Sequence, residues 1–397
     1  MLDTVLSNFR VIDLTQNVAG PYCTQILGDM GADIIKVERP GRGDDTRDWR
    51  PPVLAGTSPT FLALNRNKRS ICIDINDAEG VAILHRLAAS ADVFIHSMKP
   101  GSADARGLGY EALSAVNPRL VYGAISAFGS EGPLSSLPGY DPLMQAFTGI
   151  MSTTGNEGDD PVRVSVSLID MGTGMWAAQG ILAALLSRQS SGRGTLVEAS
   201  LMETGISWMT VFIANFGATG TLPRKLGSAM AMTAPYELFR SADGHVFIAA
   251  GNDRLFRQVC SGLDVPQLAD DPRFAANADR VKARDVLHEA IEAVTRTRQT
   301  GDIVSRLRQA GAPCSELNNV GQLLSHEQVA ASGIVRNLPI EGVPDHKVVG
   351  LPLKLSGQGS GISKAPPALG ADTSTILAEL GLDDSQIEQL RESRIVA

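Results

Sequence analysis

Four cysteines in 397 residues, none of them in a CxxC pair, and six histidines without HExxH or any paired spacing leave several common sites unwritten. Zinc ribbons, thioredoxin-like motifs and histidine metal centres are excluded on this pattern, and no metal is expected. Cys23, Cys72, Cys260 and Cys314 read as reduced thiols of a cytoplasmic protein. Positive charge is in deficit: 35 Lys and Arg stand against 43 Asp and Glu, a net of −8, so neither nucleic acid nor an anionic membrane meets a basic field. The N-terminus lacks a basic segment followed by a long apolar core, and the longest apolar stretch, near Met175–Leu186, reads as too short to span a bilayer. The first βα loop has no GxGxxG fingerprint and no GxSxG elbow occurs, which removes the usual dinucleotide and hydrolase readings.

What is present is an ordinary globular composition, 43% hydrophobic and 20% charged, over a length that suggests two or three domains. Arg10–Leu14 reads as a strand, followed by a loop and a helix opened by Pro21, whose Tyr22, Ile26, Leu27 and Met30 share one face. Gly31 stops that helix and Asp33–Glu38 is a second strand, which makes a right-handed parallel βαβ unit. A helix over Ala78–Ser90 and strands over Asp92–His96 and Leu120–Ser126 continue a doubly wound α/β pattern. Val162–Ile169 alternates as a strand delivering Asp170 to its end, Met171–Leu186 follows as a helix, and Leu196–Ser200 as a strand. Past residue 220 the pattern changes: Tyr236–Arg240 and His245–Ala250 form a hairpin about Asp243-Gly244, with short helices to about residue 325. A Pro/Gly-rich connector then leads to two amphipathic helices, Thr373–Leu380 and Asp384–Arg394, whose apolar faces need a surface to cover. The expected organisation is a large α/β domain over 1–220, a small α+β domain over 221–325, and a tail over 326–397 returning to the large domain.

Pattern alone offers two candidate sites. The helix N-terminus in the first βα loop suits a phosphate or other anion, with the alternative that Asp13, Thr15 and Gly20 only cap and turn. In Asp170-Met-Gly-Thr-Gly174 the commoner role of such an aspartate is a helix cap. The other reading has helix N–H groups keeping the carboxylate ionised, with glycines that admit a carbonyl and offer oxyanion donors. Lys68-Arg69, Arg39, Lys99 and Arg106 read as solvated surface unless they converge on a phosphorylated ligand.

VIDLTQNVAGPYCTQILGDMGADIIKVERPGRGDDTR, LNRNKRSICIDI, KPGSADARGLGYEAL, GYDPLMQA, SLIDMGTGM, GRGTLVEASLMET, DGHVFIAAGNDRLF, GAPCSELNN and PALGADTSTILAELGL follow one another along the chain. Together they resemble the class III CoA-transferase family, which includes formyl-CoA, carnitine and succinyl-CoA:dicarboxylate transferases and the α-methylacyl-CoA racemases. The resemblance implies a large Rossmann-like domain built from both termini, an inserted smaller α+β domain, and a homodimer of interlocked chains. It places the catalytic aspartate on Asp170. CoA contacts carry over to Val18, Ala19, Arg39, Ile73, Asp74, Ile75, Asn76, Ser97, Met98, Lys99, Gly139, Tyr140 and Asp141. The arginine after the Pro-Gly motif is displaced by one residue, Ala105 standing in its place and Arg106 beside it. Val18 for a glutamine, and AAGNDRLF for a glycine run, depart from formyl-CoA transferase and argue against oxalate or formate as substrate. GDDTR followed by Trp49-Arg50-Pro51-Pro52 is similar to the dicarboxylate-using members and implies succinate-like substrates.

In the implied reaction Asp170 attacks an acyl-CoA thioester to give a mixed anhydride, and CoA thiolate then converts it to an aspartyl-CoA thioester. The incoming carboxylic acid opens that thioester, and CoA resolves the second anhydride into the new acyl-CoA. Coenzyme A and acyl-CoA are substrates and no tightly bound cofactor is expected. The chemistry needs an ionised aspartate, oxyanion donors and exclusion of water, tasks that glycines beside Asp170 and in the Gly251-Asn252 loop suit. Two other readings stand beside it. A 2-methylacyl-CoA racemase would need two acid/base groups, and the racemases' histidine is here Tyr140. A non-catalytic CoA-binding protein would be expected to have lost Asp170.

Overall fold

The computed structural model describes residues 2–397. They form two compact units, one taking the chain up to Ile150 with Val164–Asn215 and Gln328–Ala397, the other Met151–Arg163 with Phe216–Glu327. The second unit thus takes in Met151–Arg163, which the sequence reading groups with the large domain.

Six strands make the sheet of the first unit: β1 Arg10–Leu14, β2 Asp33–Glu38, β3 Lys68–Cys72, β4 Val93–His96, β5 Val121–Ser126 and β6 Leu196–Ser200. All pairings are parallel, in the order β3-β2-β1-β4-β5-β6. In chain order the α-helices up to residue 219 are α1 Ala19–Asp29, α2 Pro59–Leu64, α3 Ala78–Ser90, α4 Tyr110–Val116, α5 Asp141–Phe147, α6 Ile150–Thr153, α7 Leu168–Ser191, α8 Leu201–Trp208 and α9 Thr210–Thr219, all in the first unit except most of α6 and the last turn of α9. Alternate strand residues point to opposite faces, so one β-branched run supplies two cores. Val11, Ile34, Val93 and Val121 pack on one side with Cys23 and Leu27 of α1 and Ile181 and Leu185 of α7. Ile12, Ile35, Phe94 and Tyr122 pack on the other with Leu84 and Leu87 of α3 and Leu113 of α4. The C-terminal helices Thr373–Glu379 and Asp384–Glu392 bring Ile376, Leu377, Ile387 and Leu390 to that same core, so the first sheet is the surface they cover.

Three details correct the sequence reading. The first helix begins at Ala19, two residues ahead of Pro21. Val162–Ser167 is not a strand: the Val164 N–H donates to Gln145 Oε1 at 2.8 Å and its carbonyl accepts from Gln145 Nε2 at 3.0 Å, so these backbone groups are spent on a side chain and not on a neighbouring strand. The helix that follows starts at Leu168, which puts Asp170 in its first turn. Thirdly, α7 has 24 residues and is long and apolar enough, by length and composition, to cross a membrane, where the shorter Met175–Leu186 stretch is not; half of its apolar window is buried, as in the core helix of a globular unit.

In the second unit β7 Tyr236–Arg240, β8 His245–Ala249 and β9 Cys314–Glu316 form an antiparallel sheet, the expected hairpin plus one strand. Phe239 and Ile248 from the sheet meet Phe256, Leu287, Ile291 and Leu307 from its helices. All four cysteines of the chain are unpaired.

Candidate active site

In a parallel sheet of this order the connections leave β1 and β4 in opposite directions, and their following loops part to open a crevice at the carboxyl ends of the strands. A cavity of about 220 Å³ lies there, lined by Gln16–Gly20 after β1, Ser97–Pro100 after β4, Ile125–Ala127 at the end of β5, and Leu137–Tyr140, with Trp49, Leu201 and Asp170.

The floor under the first loop is a buried charge network. Asp13, inside β1, accepts from Thr15 N–H at 2.9 Å, Thr24 Oγ1 at 2.6 Å and Lys68 Nζ at 3.2 Å. Lys36 Nζ, also buried, donates to Thr15 O at 3.0 Å and Asp44 Oδ2 at 2.8 Å. Asp44 accepts in turn from Asn17 N–H at 3.3 Å. Burial pulls the Asp13 carboxyl upward, but Lys68, Lys36 and the hydrogen bonds from Thr15 and Thr24 together outweigh it and it ends below the usual carboxylate range. The expectation that Lys68 is solvated surface is thereby overturned: β3 carries it under the sheet, where it holds the loop that lines the cavity. Lys36, set in the apolar run of β2, was the available signal.

Asp170 has the opposite surroundings. Burial first, and then the nearby Asp141 carboxylate, push its carboxyl up to about 7. The sequence reading had helix N–H groups keeping it ionised, but those of Ile169 and Asp170 are taken by Asp141 Oδ2, at 2.7 and 3.1 Å. The two glycines behind it also differ from expectation. A Cβ on Gly172 would stand 2.7 Å from the Trp208 ring, and one on Gly174 2.5 Å from Ala19 O, so both serve helix packing and neither lines the cavity. Asn252 in the second unit caps its own helix, its side chain accepting from Leu255 N–H at 2.9 Å.

Of the residues carried over as CoA contacts, Val18, Ala19, Ser97, Met98, Lys99, Gly139 and Tyr140 line the cavity together with Asp170. Arg39 reaches its edge, donating to Gln16 Oε1 at 3.2 Å and to Asp45 Oδ1 at 2.5 Å. A second group gathers elsewhere on the unit: Asn76 Oδ1 accepts from Arg106 Nη2 at 3.0 Å, and Asp74 Oδ1 accepts from Asn76 N–H at 2.9 Å. Ile75 is half-buried beside them, whereas the Ile73 side chain is wholly buried in the core, leaving only its backbone for a ligand. Asp141 is a correction: its carboxylate is 2% exposed and faces α7, not the cavity. Among the described residues no cluster of His, Cys, Asp and Glu could hold a metal ion.

This arrangement provides a carboxylate of raised proton affinity, a groove past a helix N-terminus, and space for a thioester. The profile of CoA-transferase family III matches residues 6–373. The chain belongs to that family. It is 37% identical to a succinyl-CoA:glutarate CoA-transferase of Mus musculus, over 98% of this chain and 90% of the relative. It is 35% identical to a succinate–glutarate CoA-transferase of Agrobacterium fabrum, over 94% of this chain and 95% of the relative. A crystal structure of a CAIB/BAIF family protein from Brucella suis superposes with a TM-score of 0.86 at 35% identity, covering 95% of this chain and all of that one. The chain is a CoA-transferase, and CoA thioesters are its substrates.

Proposed function

We propose that this CoA-transferase moves CoA between dicarboxylic acids of succinate and glutarate size, with Asp170 as nucleophile. The observation that carries the reading is Asp170 itself, a carboxylate without a cation partner on the wall of the cavity at the β1/β4 crevice. The similarity to succinyl-CoA:glutarate transferases supports the substrate class. In the first half-reaction a carboxylate oxygen of Asp170 bonds to the thioester carbonyl carbon and CoA thiolate leaves. CoA thiolate then attacks the Asp170 carbonyl of the anhydride, releasing the first acid and leaving an aspartyl-CoA thioester. The second acid reverses the sequence. Tyr140 and Trp49 on the cavity lining are both exposed, and the buried lysines beneath hold the Gln16–Gly20 wall in place.

The same reading has CoA along the carried-over groove residues, a second copy of this chain as partner, a cytoplasmic location, and no tightly bound cofactor. The dimer is supported by α9, which has no buried residue and presents Val211, Phe212, Ile213 and Phe216 to the surface. Sedimentation at decreasing concentration should find no folded, active monomer. The test of the chemistry is to mix the enzyme with succinyl-CoA alone, denature, and digest. Mass spectrometry should find CoA less one water on the peptide carrying Asp170; full turnover with no such adduct sinks the mechanism, and full activity only on monocarboxylic acids sinks the substrate class.

A further inference from the structure

α7 lacks a local cap. Ser167, at the N-cap position, makes no side-chain hydrogen bond to the helix. The task falls to Asp141, the first residue of α5, whose Oδ2 accepts from Ile169 and Asp170 N–H. Its Oδ1 accepts from Gln145 Nε2 at 2.5 Å, and Gln145, fully buried, holds both backbone groups of Val164 on the segment leading into α7. A neutral amide could accept from the same N–H groups, so a buried charge is a costly choice of cap. That charge lies beside the nucleophile. The cavity's other titratable side chains are Lys99, after β4, and Tyr140, before α5; α1 and α8 bring to it only Ala19, Gly20, Leu201 and the neighbouring Val18.

Resting on Asp170 as nucleophile, we propose that Asp141 is a positioning residue for acyl transfer, fixing the first turn of α7 and favouring the states in which Asp170 has given up its own charge. When the Asp170 oxygen bonds to the acyl carbon and the C–S bond breaks, the electron pair and negative charge leave with CoA sulfur. Neither the anhydride nor the aspartyl thioester carries charge at residue 170. Repulsion between the two carboxylates therefore exists in the resting enzyme and is absent from both covalent intermediates, which raises the share of enzyme held in acylated form.

The experiment follows adduct formation from succinyl-CoA by rapid-quench mass spectrometry across pH. For the wild type the rate rises with pH through a midpoint near the raised Asp170 value. With Asp141→Asn the midpoint should fall by more than about half a pH unit and the equilibrium share of aspartyl-CoA thioester should drop several-fold, because the neighbouring charge is gone. Asp141→Glu keeps the charge and should keep the high midpoint while reacting more slowly, since its longer side chain displaces the helix turn. An unshifted midpoint in Asp141→Asn overturns the proposal; should that variant fail to fold, a midpoint in the ordinary carboxylate range for Asp141→Glu overturns it instead. An adduct that persists in Asp170→Ala would overturn the nucleophile reading itself, a separate outcome.

Discussion

Two pairs of carboxylates lie on or behind the walls of one cavity, and the chain treats them oppositely. Asp13 and Asp44 lie under the first loop, each with a buried lysine at 3.2 and 2.8 Å. Asp141 and Asp170 stand at the start of α5 and α7 with each other and no ion pair. Burial raises the proton affinity of every buried acid, but on the floor the lysines and the hydrogen bonds from Thr15, Thr24 and Thr46 together reverse it and the carboxyls end below their usual range. Beside α7 nothing reverses it and Asp170 ends at about 7. Cancelled charges make a rigid support, because breaking any one of them strands its partner in a medium that solvates it poorly. An uncancelled charge is suited to be exchanged for a covalent bond, and raised carboxyls of this kind gather where chemistry is done.

The largest way to test this contrast is to remove the nucleophile. Asp170→Ala should lower CoA transfer by more than about a hundredfold with little change in CoA affinity, measured by steady-state kinetics and calorimetry. Retention of more than a hundredth of turnover would place the chemistry elsewhere. On the floor the expected loss is in stability. Lys36→Met leaves Asp44 buried without its partner and should cost about 3–5 kcal/mol in urea denaturation at fixed protein concentration. A loss below about 1 kcal/mol would mean that the pairing is not what holds the loop.

The same contrast explains what could be read in the sequence. β1, β2, β4, β5, α3 and the two C-terminal helices were legible because apolar runs and helical periodicity are local signals. β3 was not assigned, since it opens with Lys68-Arg69, and what makes Lys68 a core residue is Asp13, 55 positions away. Val162–Ile169 alternates like a strand, yet its partner is the Gln145 side chain. Pattern alone offers Asp170 as a candidate while favouring a cap, and the family resemblance is what turns the balance toward a nucleophile. The capping group is instead Asp141, 29 residues earlier in the chain, and no local pattern announces that contact. Glycines 172 and 174 look like an oxyanion loop in one dimension and are packing residues in three.

A smaller effect follows from that packing. Gly174→Ala puts a methyl group against Ala19 O, a backbone atom that cannot rotate away, so α1 and α7 must separate. The change should cost about 1–3 kcal/mol by thermal or urea denaturation, with the sign of overpacking and not the gain that alanine ordinarily brings to a helix. Because the first loop and Asp170 ride on these two helices, activity in the folded variant should fall as well. A stabilised, fully active Gly174→Ala would show that the two walls of the cavity are not set by this contact.

The smallest effect is a pH dependence of stability, reduced because Asp170 opens onto a cavity that solvent reaches. In the unfolded chain Asp170 titrates near 3.9, and in the native state at about 7. Below the lower value it is protonated in both states and contributes no difference. As pH rises toward 7 the unfolded form ionises while the native form does not, so native stability falls, and the loss is complete once the native group has ionised too. Asp170→Asn has no such titration. Its stability relative to the wild type should therefore be smallest at or below about pH 4, grow between the unfolded value and about pH 7, and level off above the native one, as read by thermal denaturation in matched buffers. Asp13 and Asp44 work in the other direction, their stabilisation present above the unfolded value and lost as acid reaches the native one. That term is common to both proteins and cancels in the difference. A gain that is the same at every pH would mean that Asp170 titrates as an ordinary carboxylate, and the distinction between a neutralised floor and an unneutralised nucleophile would fall with it.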